Sequence, residues 1–348
     1  MRKAKAEQWV KKMTKDRNLL RLFIIMIASF ALMTAIHGDT FFSITNLQSM
    51  ATQFPEIGIL AIAVSLAMVL GGINLSVVGI ANLSGILCCL TTIQLEPTIG
   101  TWPAIAVGIA VAILTGILCG LLNGILISYV GIPAMLATLG SQEIFRGLGV
   151  GITSGAAVFG MPDEFTFIGG PGVLGLPGPL IVFLIVVVAF TILLQKKQYG
   201  AELYLVGTSP KVARFSGINN NKVVIMTHVY GGVLSAIAGI IIASRTNSAK
   251  ASYGSSYVLQ CLIIAILGGI NPAGGYGKVS GVVMAVLTLQ FLSSGFNMLR
   301  VDSYFKTFIW GAVLIGAMIL NYVAQQMAEN KKKRLLQQKI GKENPTKS

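Results

Sequence analysis

The run Gly274-Gly275-Tyr276-Gly277-Lys278-Val279-Ser280 has the outline of a phosphate-binding loop. Such a loop needs a glycine five residues before its Gly-Lys, and a Ser or Thr directly after the lysine to hold magnesium. Pro272 and Val279 stand at those two places, so the chain does not bind ATP through this motif. Gly170-Pro171-Gly172-Val173-Leu174-Gly175 satisfies G-x-G-x-x-G, but it contains a proline and follows no strand, and the dinucleotide motif requires a strand–turn–helix context. His37 and His228 are the only histidines, too far apart to form a metal-ligand pair. Cys88, Cys89, Cys119 and Cys261 lie in or near apolar runs and form neither a metal spacing nor a disulfide framework. No Ser/His/Asp set can be assembled, so catalysis by this chain is not expected.

The residues left with chemical potential are polar groups at membrane depth. Asn74, Ser76, Asn82 and Ser84 cluster at the junction of two apolar runs, Asn123 lies late in another, and Asn271 begins a turn. Polar groups are costly in lipid and normally face a bundle interior or a water-filled path. Amides and hydroxyls both donate and accept hydrogen bonds, which suits a neutral, hydroxyl-rich solute. The other reading is that they bridge packed helices. An ion path would more often show a chain of buried carboxylates. Glu143 and Arg146, three residues apart, share a helix face and are expected to pair. Asp302 and Lys306 are expected to reach water at an outer helix end.

The elements that carry these residues follow from composition. Of 348 residues, 54% are hydrophobic and 11% charged, and mean hydropathy is +0.77. A soluble domain carries about 25% charged residues. The chain therefore reads as an all-α polytopic membrane protein. Crossing the hydrocarbon takes about 20 mostly apolar residues, and candidate spans lie at 19–36, 56–71, 77–93, 104–127, 133–150, 179–195, 222–244, 257–270, 279–297 and 305–327. The first follows a polar stretch without a cleavage pattern and reads as a retained span. Ten spans put both termini on the cytoplasmic side. That topology gathers 21 of the 26 basic residues on the cytoplasmic face, as the positive-inside rule requires. The expected organisation is a basic tail at 1–18, a membrane domain at 19–327 and a basic tail at 328–348. The net charge of +14 then calls for anionic lipid headgroups rather than nucleic acid.

Two local patterns remain. The sequence Leu-Gly-Gly-Ile-Asn occurs at 70–74 and again at 267–271, each time ending an apolar run on the cytoplasmic side of this topology. The two copies read as similar helix-ending devices. The long inner loop at 196–221 mixes basic residues with Leu203, Leu205, Val212, Ala213, Phe215 and Ile218. Ser209 followed by Pro210 predicts a short capped helix that ends at Gly217, and an amphipathic helix here is a docking surface for a partner.

At this loop a family resemblance emerges. Val206 through Ile218 resembles the G-x-N-x-x-A-A-R-x-S-G-I segment of ribose-type permeases, the membrane subunits of bacterial ATP-binding-cassette sugar importers. Gly71-Gly72-Ile73-Asn74-Leu75-Ser76-Val77 is similar to that family's G-G-I-D-L-S-V stretch. Ala265 through Gly277, and Ile132 through Gly140 followed by Arg146-Gly147, match in the same order. The resemblance implies a bacterial cytoplasmic membrane protein that imports a monosaccharide or sugar-like solute of the ribose, hexose or autoinducer-2 class. It implies a second permease subunit, an extracytoplasmic sugar-binding protein, and a cytoplasmic ATPase that carries the ATP and magnesium. By resemblance, Gly207, Pro210, Ala213, Arg214, Ser216, Gly217 and Ile218 couple the chain to that ATPase. Arg245, Lys250 and Arg300 would face acidic patches on the binding protein. Asn74 stands where the family usually has aspartate, and Val258 and Gln260 replace acidic residues. The alternative is a stand-alone secondary transporter of a small polar solute, which would need its own ion-coupling site.

Overall fold

The computed structural model describes residues 17–170, 176–302, 304–316 and 318–319. The basic segments 1–16 and 328–348 lie outside the described residues. An opening helix, α1 (Arg17–His37), is followed by a single turn, α2 (Asp39–Phe42), and by α3 (Ile44–Leu70), α4 (Val77–Ile99), α5 (Thr101–Ser128) and α6 (Ala134–Thr153). Strand β1 (Val158–Phe159) and the short α7 (Asp163–Gly169) precede α8 (Gly178–Lys196). Then come α9 (Gln198–Thr208), α10 (Pro210–Phe215), α11 (Asn220–Thr246), β2 (Ser248–Ala249), α12 (Tyr257–Leu267) and α13 (Val279–Met298). Residues from Asp302 onward form a separate unit, in which α14 (Tyr304–Gly316) is described by itself.

Every predicted apolar run holds a helix. Among the described residues seven helices, α1, α3, α4, α5, α8, α11 and α13, are long and apolar enough to cross a membrane. Helix α6 has the length but is less apolar, and α12 and α14 are short. An antiparallel pair, Val158↔Ala249 and Phe159↔Ser248, interrupts the helices and clamps the loop after α6 to the loop after α11. The inner loop departs further from expectation, because 198–208 is helical. Gly200, Leu203, Val206 and Gly207 recur every three to four residues and are buried together. This is an amphipathic stripe that the surrounding charges obscure in the sequence.

The centre of the bundle is assembled by contact between backbones. Gly116, Gly120 and Gly124 sit four apart on α5 and face α11. A side chain at Gly116 would strike the Gly232 carbonyl, one at Gly120 the His228 carbonyl, and one at Gly124 the Ile225 backbone. Two turns beyond Gly232 on α11, Gly239 lies against the Ala81 backbone of α4. In lipid, helices gain nothing by hiding apolar surface from one another, so close packing of small residues is what holds such a seam together. Helix α1 is attached differently, through Phe30 against Phe291 of α13 at 5.0 Å between ring centroids.

One ion pair crosses this core. Arg245 Nε and Nη2 donate to the two carboxylate oxygens of Glu56, each at 3.0 Å, and the Tyr257 hydroxyl donates to Glu56 Oε1 at 2.7 Å. The fork joins α3, α11 and α12, and Glu56 is only 1% exposed. Arg245, expected as an outward contact, is thus committed to an internal carboxylate, because a buried Glu56 requires a cation within reach. Removing one partner of a buried pair leaves a lone charge and costs about 3–5 kcal/mol. Glu56→Ala should therefore lower the thermal midpoint of the detergent-solubilised protein sharply. The double variant Glu56→Leu with Arg245→Met should recover much of that loss, and a double variant no more stable than Glu56→Ala would contradict the assignment.

Candidate coupling site and solute path

The two Leu-Gly-Gly-Ile-Asn copies end their helices by the same hydrogen bonds, shifted by one residue. After α3, Gly71 takes the left-handed conformation (φ 94°), and Gly72 N donates to Ala67 O at 3.0 Å. After α12 the left-handed residue is Gly269 (φ 80°), and Ile270 N donates to Ala265 O at 3.0 Å. Both patterns are Schellman closures. The asparagines then do equal work: Asn74 Oδ1 accepts from Ser76 N, and Asn271 Oδ1 accepts from Ala273 N, each at 3.1 Å. These are Asx turns. The repeated motif stops a helix and turns the chain, with the closure one glycine later in the second copy.

These loops meet each other and α9 in a knot of glycines. Gly275 N donates to Val69 O at 2.8 Å, which ties the second loop to the end of α3. A side chain at Gly207 would collide with the Val69 carbonyl, and one at Gly274 with the Gly207 carbonyl. One at Gly275 would strike the Thr208 hydroxyl. The Tyr204 hydroxyl donates to Gly277 O at 2.7 Å. Burial pushes the Tyr204 phenol above its ordinary range, so it remains a protonated donor. The run that resembles a phosphate loop therefore commits an amide and a carbonyl to holding helices together. From the first loop the connection continues to α6, where Leu75 N donates to Thr138 Oγ1 at 3.1 Å and Thr138 Oγ1 donates to Ile73 O at 3.0 Å.

Directly beyond the knot lies the predicted short helix. Ser209 caps α10 by accepting from Val212 N, Pro210 occupies its first turn, and Gly217 closes it at φ 80° while Ile218 N donates to Ala213 O. Asn220 Nδ2 donates to Pro210 O at 2.8 Å and fastens α10 to the start of α11. Ala213 is fully buried, whereas Val212, Arg214, Ser216 and Gly217 are exposed, Ile218 is half-buried and Phe215 is 93% exposed. Helix α10 thus offers a small apolar and cationic face on a rigid mount.

The amides expected along a solute path are drawn inward. Asn123 Nδ2 donates to Ser76 Oγ at 2.8 Å, Ser76 Oγ donates to Asn74 Oδ1 at 2.7 Å, and all three residues are buried. Asn82 Nδ2 donates to Ala251 O and Tyr253 O, and so shapes the loop after β2. Within one chain these groups join α4 and α5 to the loops around them, and Asn271 serves its own turn. Lys250 is half-buried, and Arg300 is exposed in a left-handed conformation (φ 54°). All four cysteines are free and buried, and no cluster of metal-ligating side chains occurs among the described residues. Sequence reasoning missed Glu56, the first residue of its expected span, and Tyr204, inside the inner loop, because their partners lie far along the chain.

The chain matches the family model described as branched-chain amino acid transport system / permease component over residues 46–319. It is 33% identical over 311 residues to the ribose import permease protein of Bacillus subtilis strain 168, covering 89% of this chain and 93% of that protein. The ribose import permease protein of Escherichia coli strain K12 is 29% identical over 312 residues, covering 88% and 93%. The autoinducer 2 import system permease protein of Escherichia coli O157:H7 is 31% identical over 307 residues, covering 86% and 90%. No solved structure matches the chain. With most of its length matched to that model and to permeases of import systems, the chain belongs to the permease component family of branched-chain amino acid transport systems, in its ribose-type branch.

Proposed function

We propose that this chain is the membrane subunit of an ATP-driven importer, forming with a second permease subunit the path for a monosaccharide or sugar-like solute. The names of the relatives supply the solute class, ribose or autoinducer 2. One observation carries the mechanism. Helix α9 is locked through Gly207, Gly274 and Tyr204 to the loops that end α3 and α12, and α10 follows it after the single residue Ser209. A force applied to α10 therefore reaches two bundle helices without passing through a flexible linker. Docking of a cytoplasmic ATPase, which carries ATP and magnesium, on Val212, Arg214 and Phe215 turns nucleotide-driven movement into a movement of the path.

The same reading sets the surroundings. The chain sits in the bacterial cytoplasmic membrane with ten spans and both basic tails inside, where they meet anionic headgroups. Lys250 and Arg300 remain the candidates for contact with an extracytoplasmic sugar-binding protein. Asn74, Ser76, Asn82, Asn123 and Asn271 act on the path from behind, by fixing the loops and helices that border it.

Purification from the native host in mild detergent tests the partnership. Wild type should bring an ATPase with it, and replacing Ala213 and Arg214 by glutamate should abolish recovery, since one charge would be forced into a buried site and the other reverses a contact. An unchanged ATPase yield would refute docking through α10. The knot makes a separate prediction. Tyr204→Phe loses one hydrogen bond, worth about 0.5–1.5 kcal/mol, so ATPase recovery should persist while uptake per ATP hydrolysed falls. Uptake and hydrolysis declining in equal proportion would show that Tyr204 supports folding alone.

A further inference from the structure

Taken as one of the ten proposed spans, helix α6 carries two charges where a membrane helix can least accommodate them. Glu143 and Arg146 lie near its middle, with side chains 61% and 55% exposed, and their closest approach is a loose 3.7 Å. Among the described residues, no other exposed charged side chain lies so far from both ends of a long helix. The helix is bound to the bundle by the opposite face, through Ala137, Thr138, Ser141, Phe145 and Gly149. Gly140, Gly147 and Gly151 share the free side with Glu143, and a side chain built at any of them meets nothing within 4 Å. A charged pair at this depth faces water or protein rather than lipid.

Resting on the importer reading above, we infer that this free face of α6 lines the solute path and that Glu143 and Arg146 grip a hydroxyl-rich solute there. The glycines leave the helix surface beside the pair free of side chains, and a sugar ring would lie there. At 3.7 Å the pair leaves donors on the guanidinium and lone pairs on the carboxylate unused, and charge-assisted hydrogen bonds to hydroxyls are stronger than neutral ones. A carboxylate accepts from adjacent hydroxyls while a guanidinium donates to a hydroxyl or ring oxygen. The position also suits the mechanism. Thr138, on the bound face of the same helix, holds Ile73 and Leu75 beside the glycine knot, so movement of the α3 terminus reaches the gripping residues through one helix.

The full importer, reconstituted with its ATPase and binding protein in liposomes, provides the test. Gly147→Cys is treated with a membrane-impermeant maleimide, against a low background because the four native thiols are buried. Labelling that is slowed by D-ribose, or by whichever pentose or hexose the wild type imports, is the expected result. A cysteine at 147 that stays unlabelled with and without ATP, while Ser255→Cys in the exposed loop before α12 reacts, means a dry or lipid-covered face and overturns the inference. Glu143→Gln and Arg146→Gln should each raise KM for uptake about ten-fold, the size of one lost charge-assisted bond, with ATP hydrolysis retained. Unchanged KM in both variants also overturns it. A wild-type importer that hydrolyses ATP but carries no sugar would instead refute the proposed solute class, while labelling at 147 still reports which surface the helix presents.

Discussion

Contact between backbones, permitted by glycine, is the constraint on which the other features rest. In water an apolar side chain joins two helices because both leave solvent; in a bilayer the lipid is as apolar as the side chain, and that gain vanishes. What remains is dispersion at short range and satisfied polar groups. The seam of Gly116, Gly120 and Gly124 against Gly232 and the backbone of α11 supplies the first. The Glu56–Arg245–Tyr257 fork and the Asn74–Ser76–Asn123 chain supply the second. Each polar cluster lies at a junction between helices or between a helix and a loop.

The same constraint separates a rigid body from its moving parts. Where helices touch through backbone atoms, there is no side chain to change rotamer and absorb a displacement, so motion must be passed on whole. At the knot, three segments distant in sequence are joined in this way, at Gly207, at Gly71 and at Gly274-Gly275. That arrangement suits a coupling element, which loses efficiency with every soft contact along its length. It also accounts for the short capped helix α10 beside it: Ser209, Pro210 and Gly217 fix both ends of a six-residue helix that has little intrinsic stability.

How much of this was legible in the sequence depended on the range of the signal. The long apolar helices were legible because hydrocarbon thickness imposes a length and a composition on each one locally. The capped helix at 210–215 was legible because its start and stop signals lie within it. Helix α9 was hidden by the basic residues around it, since its stripe of Gly200, Leu203, Val206 and Gly207 depends on what it packs against. The pairing of Arg245 was hidden because its partner, Glu56, stands at the edge of a different apolar run. The path amides were misjudged in a related way. Asn74, Asn82 and Asn123 are buried in the bundle, but position along a span alone does not say which side of a helix faces the neighbour.

This bears on the departure at Asn74, where the resembling family usually has aspartate. The side-chain oxygen of Asn74 accepts from Ser76 N and Ser76 Oγ, and an aspartate could make both contacts. A carboxylate there would, however, be a buried charge, and no cation appears among the partners of this network. Asparagine keeps the turn and removes the charge, so the substitution fits tuning of the junction better than a change of solute. Discrimination among solutes is then sought on a surface that one chain leaves uncovered. Helix α6, anchored by Thr138 to this same junction, carries its two charges on such a surface, and it is there that sequence differences between importers would change what is carried.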